Sequence, residues 1–428
     1  MTSAPALERL SASAALRAIR CGDLDSEALV AACLARIDQR DPEVEAWAYL
    51  DPERALDEAR RLDLQPRTGV LHGLPIGVKD VIDVAGQPTG CGSPIHNGAI
   101  ARVDAACVAL ARAAGAVILG KTHTAEFANT APPPTRNPHA LSHSPGGSSS
   151  GSAAAVADHM VPLALGTQTV GSTIRPAAFC GVVGFKPSFG RVNRAGLKFS
   201  AESFDTIGWM GRCVDDVAMV AQALGGIEAP PRREIRGLRV GLCLGAFAAA
   251  ATASALGTLQ GVAERLERAG AELSVFEPEW AGERLRDAHQ TVMLHELARA
   301  SLWEYQHHRQ ALSERFRLNI EKGLDIGAEA VEGARQLIRQ CRGRLTEELH
   351  WLDGVLTFAA PGEAPEGLSQ TGDSVFNRIW TALALPCVGL PAGVGERGLP
   401  LAVQWVGRPG GDRAALADAQ AIETLLQG

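Results

Sequence analysis

Two serines stand among glycines in residues 146–185, and their types and spacing could support acyl transfer. Ser148 lies in the run GGSSSGS, Ser172 lies in GTQTVGS 24 positions later, and Arg175 follows the second serine by three positions. Glycines around a serine let backbone N–H groups approach a reacting atom closely, because no side chain stands in the way. A glycine- and serine-rich run alone is typical of a flexible loop, so the two runs indicate a catalytic site only in combination.

The segments that must position these serines have an α/β pattern. Residues 6–39 carry apolar positions at helical spacing with a break at CGDLDS, so we expect two amphipathic helices with Asp25 or Ser26 as a possible N-cap. Between residues 69 and 225, short apolar runs alternate with helical patterns. This alternation predicts a large mixed, mostly parallel sheet that helices cover on both faces.

The remainder of the chain predicts a helical region followed by further strands. After a Pro-Pro doublet the sequence becomes more charged and helical to about residue 350, apart from a strand and turn in RVGLCLG. The runs DGVLTFAAP, ALPCVGLPAG and LPLAVQWVG then predict three strands that complete the sheet. We expect a single domain over residues 1–428, which consists of three parts, 1–230, 231–350 and 351–428.

The composition is that of a compact enzyme. The formal charge of −7 over 428 residues gives no general attraction to nucleic acid or to an anionic membrane. The nine cysteines lack C-x-x-C spacing, which argues against a zinc ribbon or a disulfide scaffold and indicates reduced thiols. The start of the chain lacks a basic region that leads into an apolar core, and no apolar window is long enough to span a bilayer. We therefore expect a cytoplasmic protein without nucleic-acid or membrane partners.

Four motifs together resemble the amidase signature family of serine hydrolases. They are the block 146–185, the upstream run GLPIGVKDVIDVAG, the run AVILGKTHTAEFA and the tail PLAVQWVGRPG. The resemblance extends over about residues 5–425. It implies the amidase signature fold, a catalytic triad of Lys79, Ser148 and Ser172 with a cis peptide bond before Ser148, and no cofactor. The spacings of the three residues are similar to those of malonamidase-type members.

The implied triad is consistent with elementary acid–base chemistry. Ser172 as nucleophile needs a base, and no histidine lies in a recognisable Ser-His-Asp context. Lys79 can serve if burial lowers its pKa, and it follows the apolar run GLPIGV. Adjacent strand residues face opposite sides, so we expect Asp80 to turn away from Lys79. Ser148 would relay a proton between the other two residues.

The segment before the nucleophile predicts an oxyanion hole. The backbone N–H groups of Thr169, Val170, Gly171 and Ser172 would point at the developing oxyanion, and each such donor lowers the barrier by on the order of 3 kcal/mol. The family usually has glycine where Val170 stands. A valine demands more conventional dihedral angles, although the donor is a backbone group.

Arg175 is the main sequence indication of the substrate. Many relatives carry the arginine two residues after the nucleophile, whereas the spacing of three matches malonamidase-like members, in which this arginine engages a substrate carboxylate. We therefore expect a small amide that bears a carboxylate or a similar acceptor. Two alternatives stay open: Arg175 could be a structural residue that pairs with an internal acid such as Asp205, and Asp205 itself is more typical of a turn.

Other readings of the chain are weaker. His139, His143 and His159 lack the regular spacing of a metal site, and His295–Glu296 is followed by arginine where H-E-x-x-H requires histidine, so no metal is expected. Cys180 has apolar neighbours typical of a packed thiol. Residues 125–129, residues 371–380 and parts of the helical region after 280 are candidate pocket walls. A homodimer is expected by analogy.

Three other functions remain open at this level. The chain could be the glutamine amidase subunit of a tRNA-dependent amidotransferase, which would need protein partners. It could cleave esters or hydrazides, because the acyl half of the chemistry is shared. The third function is that of an inactive scaffold protein on the same fold. The complete set of Lys79, Ser148 and Ser172 argues against it.

Overall fold

A computed structural model describes residues 6–129 and 131–428. The expectation that the start of the chain is not a leader falls partly on residues 1–5, which lie outside the described residues. The described part contains eleven β-strands: β1 Trp47–Leu50, β2 Pro75–Lys79, β3 Val117–Thr122, β4 Leu163–Gln168, β5 Val183–Lys186, β6 Thr206–Gly211, β7 Arg239–Leu242, β8 Glu272–Val275, β9 Gly354–Phe358, β10 Cys387–Val394 and β11 Pro400–Gly407.

The same described residues form fourteen α-helices: α1 Ala12–Cys21, α2 Ser26–Val44, α3 Pro52–Asp63, α4 Ala106–Ala113, α5 Ser150–Ala157, α6 Ile174–Cys180, α7 Val214–Gly225, α8 Ala253–Arg268, α9 Glu283–Ala300, α10 Leu302–His308, α11 Glu314–Leu324, α12 Ala328–Glu348, α13 Val375–Ala382 and α14 Asp412–Gln427. The two helices predicted within residues 6–39 are confirmed as α1 and α2, and Asp25 is the N-cap residue of α2. No helix in the described ranges is both long and apolar enough to cross a membrane.

All eleven described strands form one mixed sheet in the order β1-β3-β2-β4-β6-β5-β10-β11-β9-β7-β8. The prediction of a mixed sheet is confirmed, but the expectation that it is mostly parallel is wrong, because six of the ten described pairs are antiparallel. Only five residues separate β10 from β11, which is too few for the crossover that a parallel pair requires. No helix separates β5 from β6, so these two strands also pair in the antiparallel direction.

Helices cover both faces of the sheet, as predicted. Neighbouring residues of a strand point to opposite faces, and in β11 Trp405 packs into one apolar cluster while Val406 packs into another. The first cluster includes residues of α1, α2, α5, α7 and α14, and the second includes residues of α9, α12 and α13. Burial on both faces explains why the sequences of the central strands are continuous apolar runs.

The region 231–350 is helix-rich, as predicted, and it also contributes two strands to the sheet. The predicted strand in RVGLCLG is β7, while β8 was missed together with β1, β5 and β6. β8 forms the end of the sheet and its four residues are exposed or only partly buried, so it lacks a continuous apolar run. In β5 and β6, glycines interrupt the apolar pattern.

The glycine- and serine-rich run 146–152, which includes the start of α5, is packed rather than flexible. A Cβ atom on Gly151 would lie 2.1 Å from the carbonyl oxygen of Ala46 and 2.5 Å from the amide nitrogen of His123. Both contacts are backbone atoms, which cannot move aside without shifting the chain. A glycine at this position therefore lets α5 approach the segments around β1 and β3.

We expect Gly151→Ala to lower the free energy of unfolding by about 3 kcal/mol, because overpacking forces backbone shifts. Gly257→Ala is the matched control, since Gly257 lies in the exposed part of α8 with open space around it. Alanine there should stabilise the helix by roughly 0.5–1 kcal/mol. Denaturant unfolding of both variants measures the difference, and equal effects at the two sites would contradict the packing of α5.

Candidate active site

Lys79 is the last residue of β2, and its side chain is fully buried. The strand lies between β3 and β4, so neighbouring strands enclose the lysine. The Nζ atom donates hydrogen bonds to Ser148 Oγ and to Thr167 Oγ1, each at 2.8 Å. The structure thus brings together Lys79 and Ser148 and adds Thr167, which the sequence reasoning missed.

Asp80 turns away from Lys79, as the strand geometry predicted. Its carboxylate forms an ion pair with Lys121 Nζ at 3.1 Å and accepts a hydrogen bond from the Gly90 amide at 3.1 Å. Neither partner of this buried pair contacts the Lys79 ammonium group. The acid that follows Lys79 in sequence therefore does not hold a proton on it.

The electrostatic environment of Lys79 favours a neutral amine near pH 7. Burial lowers the pKa of Lys79 to about 7, the carboxylate of Asp205 raises it, and the guanidinium of Arg175 lowers it. Burial also raises the pKa of Asp205 to about 6. A lysine in this state can accept a proton at neutral pH, which a solvated lysine cannot.

The two serines approach the site from separate turns. Ser148 precedes α5, and the peptide bond between Gly147 and Ser148 is cis, as the resemblance implied. Ser172 lies in the loop between β4 and α6. Within the described ranges no hydrogen bond joins the hydroxyl groups of Ser148 and Ser172. The structure therefore connects Ser148 to Lys79 by a direct hydrogen bond and places Ser172 in a separate turn.

The loop 169–172 presents free backbone N–H groups. In the part of the chain that the structure describes, none of its four amides donates to a protein acceptor. The carbonyl groups, in contrast, are held by protein donors: Thr169 O by His289 Nε2 at 3.0 Å, Val170 O by Thr381 Oγ1 at 2.8 Å and Gly171 O by the Arg175 amide at 2.9 Å. Fixed carbonyls and free amides are what an oxyanion hole requires.

Gln168 supports the backbone that follows this loop, and Val170 lies within the loop. The buried Gln168 side chain accepts hydrogen bonds from the amides of Thr173 and Ile174 at 2.9 and 3.1 Å, and so supports the start of α6. Sequence reasoning missed Gln168, although a polar residue inside an apolar strand next to the motif is a usable signal. Val170 is not among the described non-glycine residues with positive φ, in keeping with its side chain.

Arg175 is buried in α6 and bonds to the protein on two sides. Its Nη1 donates to Gly372 O at 2.9 Å, and its Nη2 donates to Gly147 O at 2.6 Å and to Thr371 Oγ1 at 3.2 Å. The proposed pairing with Asp205 is wrong, because no ion pair joins these two described residues. Arg175 instead links the turn before Ser148 to the segment before α13.

Asp205 holds a turn, as its sequence context suggested. Its carboxylate accepts hydrogen bonds from the amides of Ser200 and Ala201 at 2.7 and 3.0 Å. It also accepts one from Thr169 Oγ1, at the edge of the loop that carries the free amides. Asp205 therefore belongs to the surroundings of the site, which its sequence context did not indicate.

A cavity of about 270 Å³ lies beside Ser172 and Arg175. The candidate walls 125–129 and 371–380 are confirmed, and so is the contribution of the helical region after residue 280. Most of the side chains that line the cavity are polar. Besides Arg175 and residues of the loop 169–172, the lining residues are Ala128, Asn129, Ser200, Gln290, Met293, Leu294, Asn319, Thr371, Gly372, Asp373, Ser374 and Arg378.

Cys180 is a packed thiol, as predicted. It is fully buried, its Sγ lies 3.4 Å from Pro145 O, and burial raises the pKa of the thiol. A thiol with a raised pKa is a poor nucleophile. Of the candidate histidines, His139 contacts the Cys180 carbonyl oxygen at 2.9 Å through Nε2.

A base of lowered pKa, two serines and free amides beside a cavity are the parts of a serine hydrolase that works without a histidine base. Residues 28–416 match the family model described as Amidase. The chain belongs to the amidase family. This membership supports a hydrolase of carbon–nitrogen bonds.

Relatives cover the chain to different extents. A glutamyl-tRNA(Gln) amidotransferase subunit from Acidobacterium capsulatum is 32% identical over 470 aligned residues, which cover 96% of this chain and 98% of the relative. The corresponding amidotransferase subunit from Salinibacter ruber is 42% identical over 252 residues, so the chain spans about half of that relative (49%). The peptide amidase from Stenotrophomonas maltophilia has a TM-score of 0.82 at 29% identity, with 98% of this chain and 97% of that chain covered.

The pKa of Lys79 gives a prediction for the pH dependence of the nucleophile. With Ser172 as nucleophile and Lys79 as its base, the rate at which a fluorophosphonate labels Ser172 should rise with pH through about 7, because only the neutral amine can accept a proton and protonation below this pKa removes it. Asp205→Asn removes the charge that favours the ammonium form, so the midpoint should move to lower pH. Labelling rates across a pH series, with Lys79→Met as the control without a base, measure both effects. A midpoint near 10 would contradict the assignment.

Proposed function

We propose that the protein hydrolyses the C–N bond of a small linear amide, with Ser172 as nucleophile, Ser148 as proton relay and Lys79 as base. The observation that carries this proposal is the 2.8 Å hydrogen bond from Lys79 Nζ to Ser148 Oγ at a fully buried position. A buried lysine hydrogen-bonded to hydroxyl groups, with no acid paired to it among the described residues, is suited to proton transfer. The free amides of the loop 169–172 and the adjoining cavity support the same proposal.

In the acylation step, Ser172 Oγ attacks the amide carbonyl carbon, and its proton passes through Ser148 to Lys79. The tetrahedral oxyanion lies against the N–H groups of Thr169, Val170, Gly171 and Ser172. Collapse breaks the C–N bond, and the proton returns through Ser148 to the leaving nitrogen, so ammonia or an amine departs. Water then attacks the acyl-enzyme with the same relay as base and releases the acid.

The cavity supports a small substrate that carries a hydrogen-bond acceptor or an anion. A volume of about 270 Å³ is sufficient for a small amide. A guanidinium has five N–H donors, and Arg175 uses three of them on Gly147, Thr371 and Gly372. Of the two remaining donors the Nε–H is buried, and the second Nη1–H can serve a substrate carboxylate close to the nucleophile.

A second candidate function is the release of ammonia from glutamine within a multi-subunit amidotransferase. The relatives from Acidobacterium capsulatum and Salinibacter ruber are subunits of such an enzyme. The two functions differ in their need for partners. Amide hydrolysis at full rate by the purified single chain would favour the amidase, whereas activity only with added partner proteins would favour the amidotransferase. Esters and hydrazides are further possible substrates of the same acyl chemistry.

Substitution of the nucleophile tests the proposed chemistry. Ser172→Ala should lower ammonia release from small amides by about 10³-fold or more, because the acyl-enzyme cannot form. The same change should abolish fluorophosphonate labelling. Cys180→Ala is the control, since Cys180 is the neighbouring thiol and should leave both readouts close to wild type. Full activity of Ser172→Ala would exclude the proposed nucleophile.

Arg175 gives a test of substrate class. Arg175→Ala should lower kcat/KM for a carboxylate-bearing amide at least tenfold more than for a neutral amide of equal length, because a charge-assisted hydrogen bond contributes about 1.5–3 kcal/mol. Steady-state kinetics with both substrates measure the ratio, and thermal unfolding reports any loss of fold. If kcat/KM and substrate preference both stay unchanged, Arg175 does not bind the substrate.

A further inference from the structure

A second arginine lines the cavity that contains Ser172. Arg378 lies on α13, and its side chain is partly buried. Among the described residues no carboxylate lies within 4.0 Å of its guanidinium, and its hydrogen bond is a 3.4 Å contact from Nη1 to His289 Nδ1. Burying a charge without a partner costs free energy. Arg378 therefore has donors and charge available to an anion in the cavity.

His289 fixes the position of this guanidinium. Its Nε2 lies 3.0 Å from Thr169 O, which can only accept a hydrogen bond, so Nε2 carries the proton and Nδ1 is the acceptor that faces Arg378. Burial lowers the pKa of His289 to about 3, which keeps the ring neutral. The ring also stacks on Phe204, with centroids 4.1 Å apart. One imidazole thus holds both Arg378 and the loop 169–172.

The charged side chains that line the cavity carry a net positive charge. Asp373 also lines the cavity, but it is exposed, and its carboxylate accepts a hydrogen bond from the Val375 amide at 3.0 Å. Arg286 and Asp287 on α9 pair with each other at 3.0 Å and are not among the lining residues. Two guanidinium groups, those of Arg175 and Arg378, therefore face one exposed carboxylate across the same space.

We propose that Arg378 binds the carboxylate of the amide substrate together with Arg175, which lines the same cavity, and that His289 is a positioning residue, which couples the Arg378 contact to the loop 169–172. The inference rests on the amidase function proposed above and assigns its substrate class. A guanidinium can bind a carboxylate through two parallel hydrogen bonds, which fixes orientation as well as charge. The substrate is then the monoamide of a short dicarboxylic acid, whose amide end lies at Ser172 and whose acid end lies at Arg378.

Matched substrates and variants test this assignment. Succinamic acid carries the carboxylate, and butyramide is its neutral counterpart of similar length. Arg378→Gln should lower kcat/KM for succinamic acid about 10- to 100-fold, chiefly through KM, because a charge-assisted hydrogen bond contributes about 1.5–3 kcal/mol. The same change should alter butyramide hydrolysis by less than about threefold, and Arg378→Lys should recover part of the loss. Arg286→Gln is the control, since it removes a nearby positive charge outside the cavity lining.

The positioning role of His289 has a separate readout. His289→Phe keeps an aromatic ring against Phe204 but removes both polar contacts. It should lower kcat for both substrates, because Thr169 O loses its donor, and should also raise KM for succinamic acid. A change confined to thermal stability, with kcat and KM unchanged, would overturn the coupling.

A binding measurement separates failure of this inference from failure of the amidase function. Succinate should raise the melting temperature of the wild type and of Ser172→Ala clearly more than that of Arg378→Gln, which keeps only the Arg175 contact. If the wild type cleaves no amide and succinate still stabilises it through Arg378, only the catalytic proposal fails. If amides are cleaved with equal preference by wild type and Arg378→Gln, or succinate stabilises both equally, the assignment of Arg378 is wrong.

Discussion

The site depends on one constraint, the complete burial of an amine at the end of a central strand. Lys79 has two hydroxyl partners, Ser148 and Thr167, and no acid is paired with it in the described residues. Hydroxyl groups accept hydrogen bonds from the amine, but they stabilise the ammonium charge less than a carboxylate would. Burial can therefore lower the pKa of Lys79 toward neutrality. Asp80 could have prevented this, but the alternation of the strand assigns it to Lys121 on the other side.

The rest of the site is fixed through backbone carbonyl groups. The donors that hold the loop 169–172 come from α9, α13 and α6, which are distant in sequence. Because the carbonyl oxygens of Thr169, Val170 and Gly171 have partners, their peptide planes are held, and the N–H groups in those planes stay available. The geometry of the amides therefore depends on packing between the sheet and the helical region, since only the α6 contact is local.

The sequence predicted the parts that carry local motifs and missed those made by distant contacts. Lys79, Ser148, Asp80 and the cavity walls could be located because glycine runs, strand alternation and family resemblance act over short segments. Thr167 and His289 could not, because each gains its role from a partner in a distant segment, whereas Gln168 was overlooked although its polar side chain lies next to the motif. The sheet was predicted as mixed, yet its antiparallel majority depends on which strands become neighbours, which apolar periodicity does not specify.

Asp205 opposes the lowering of the pKa of Lys79, the residue proposed as base. Burial and Arg175 both lower the pKa of Lys79, and the Asp205 carboxylate opposes them. Without that charge the amine would be neutral over a wider pH range but would be a weaker base, since proton affinity falls with pKa. Burial raises the pKa of Asp205 itself to about 6, so its charge is present in the range where Lys79 must lose its proton. Asp205 also holds the turn at Ser200, so this single acid links the pKa of Lys79, the proposed base, to the geometry of the loop 169–172 through Thr169.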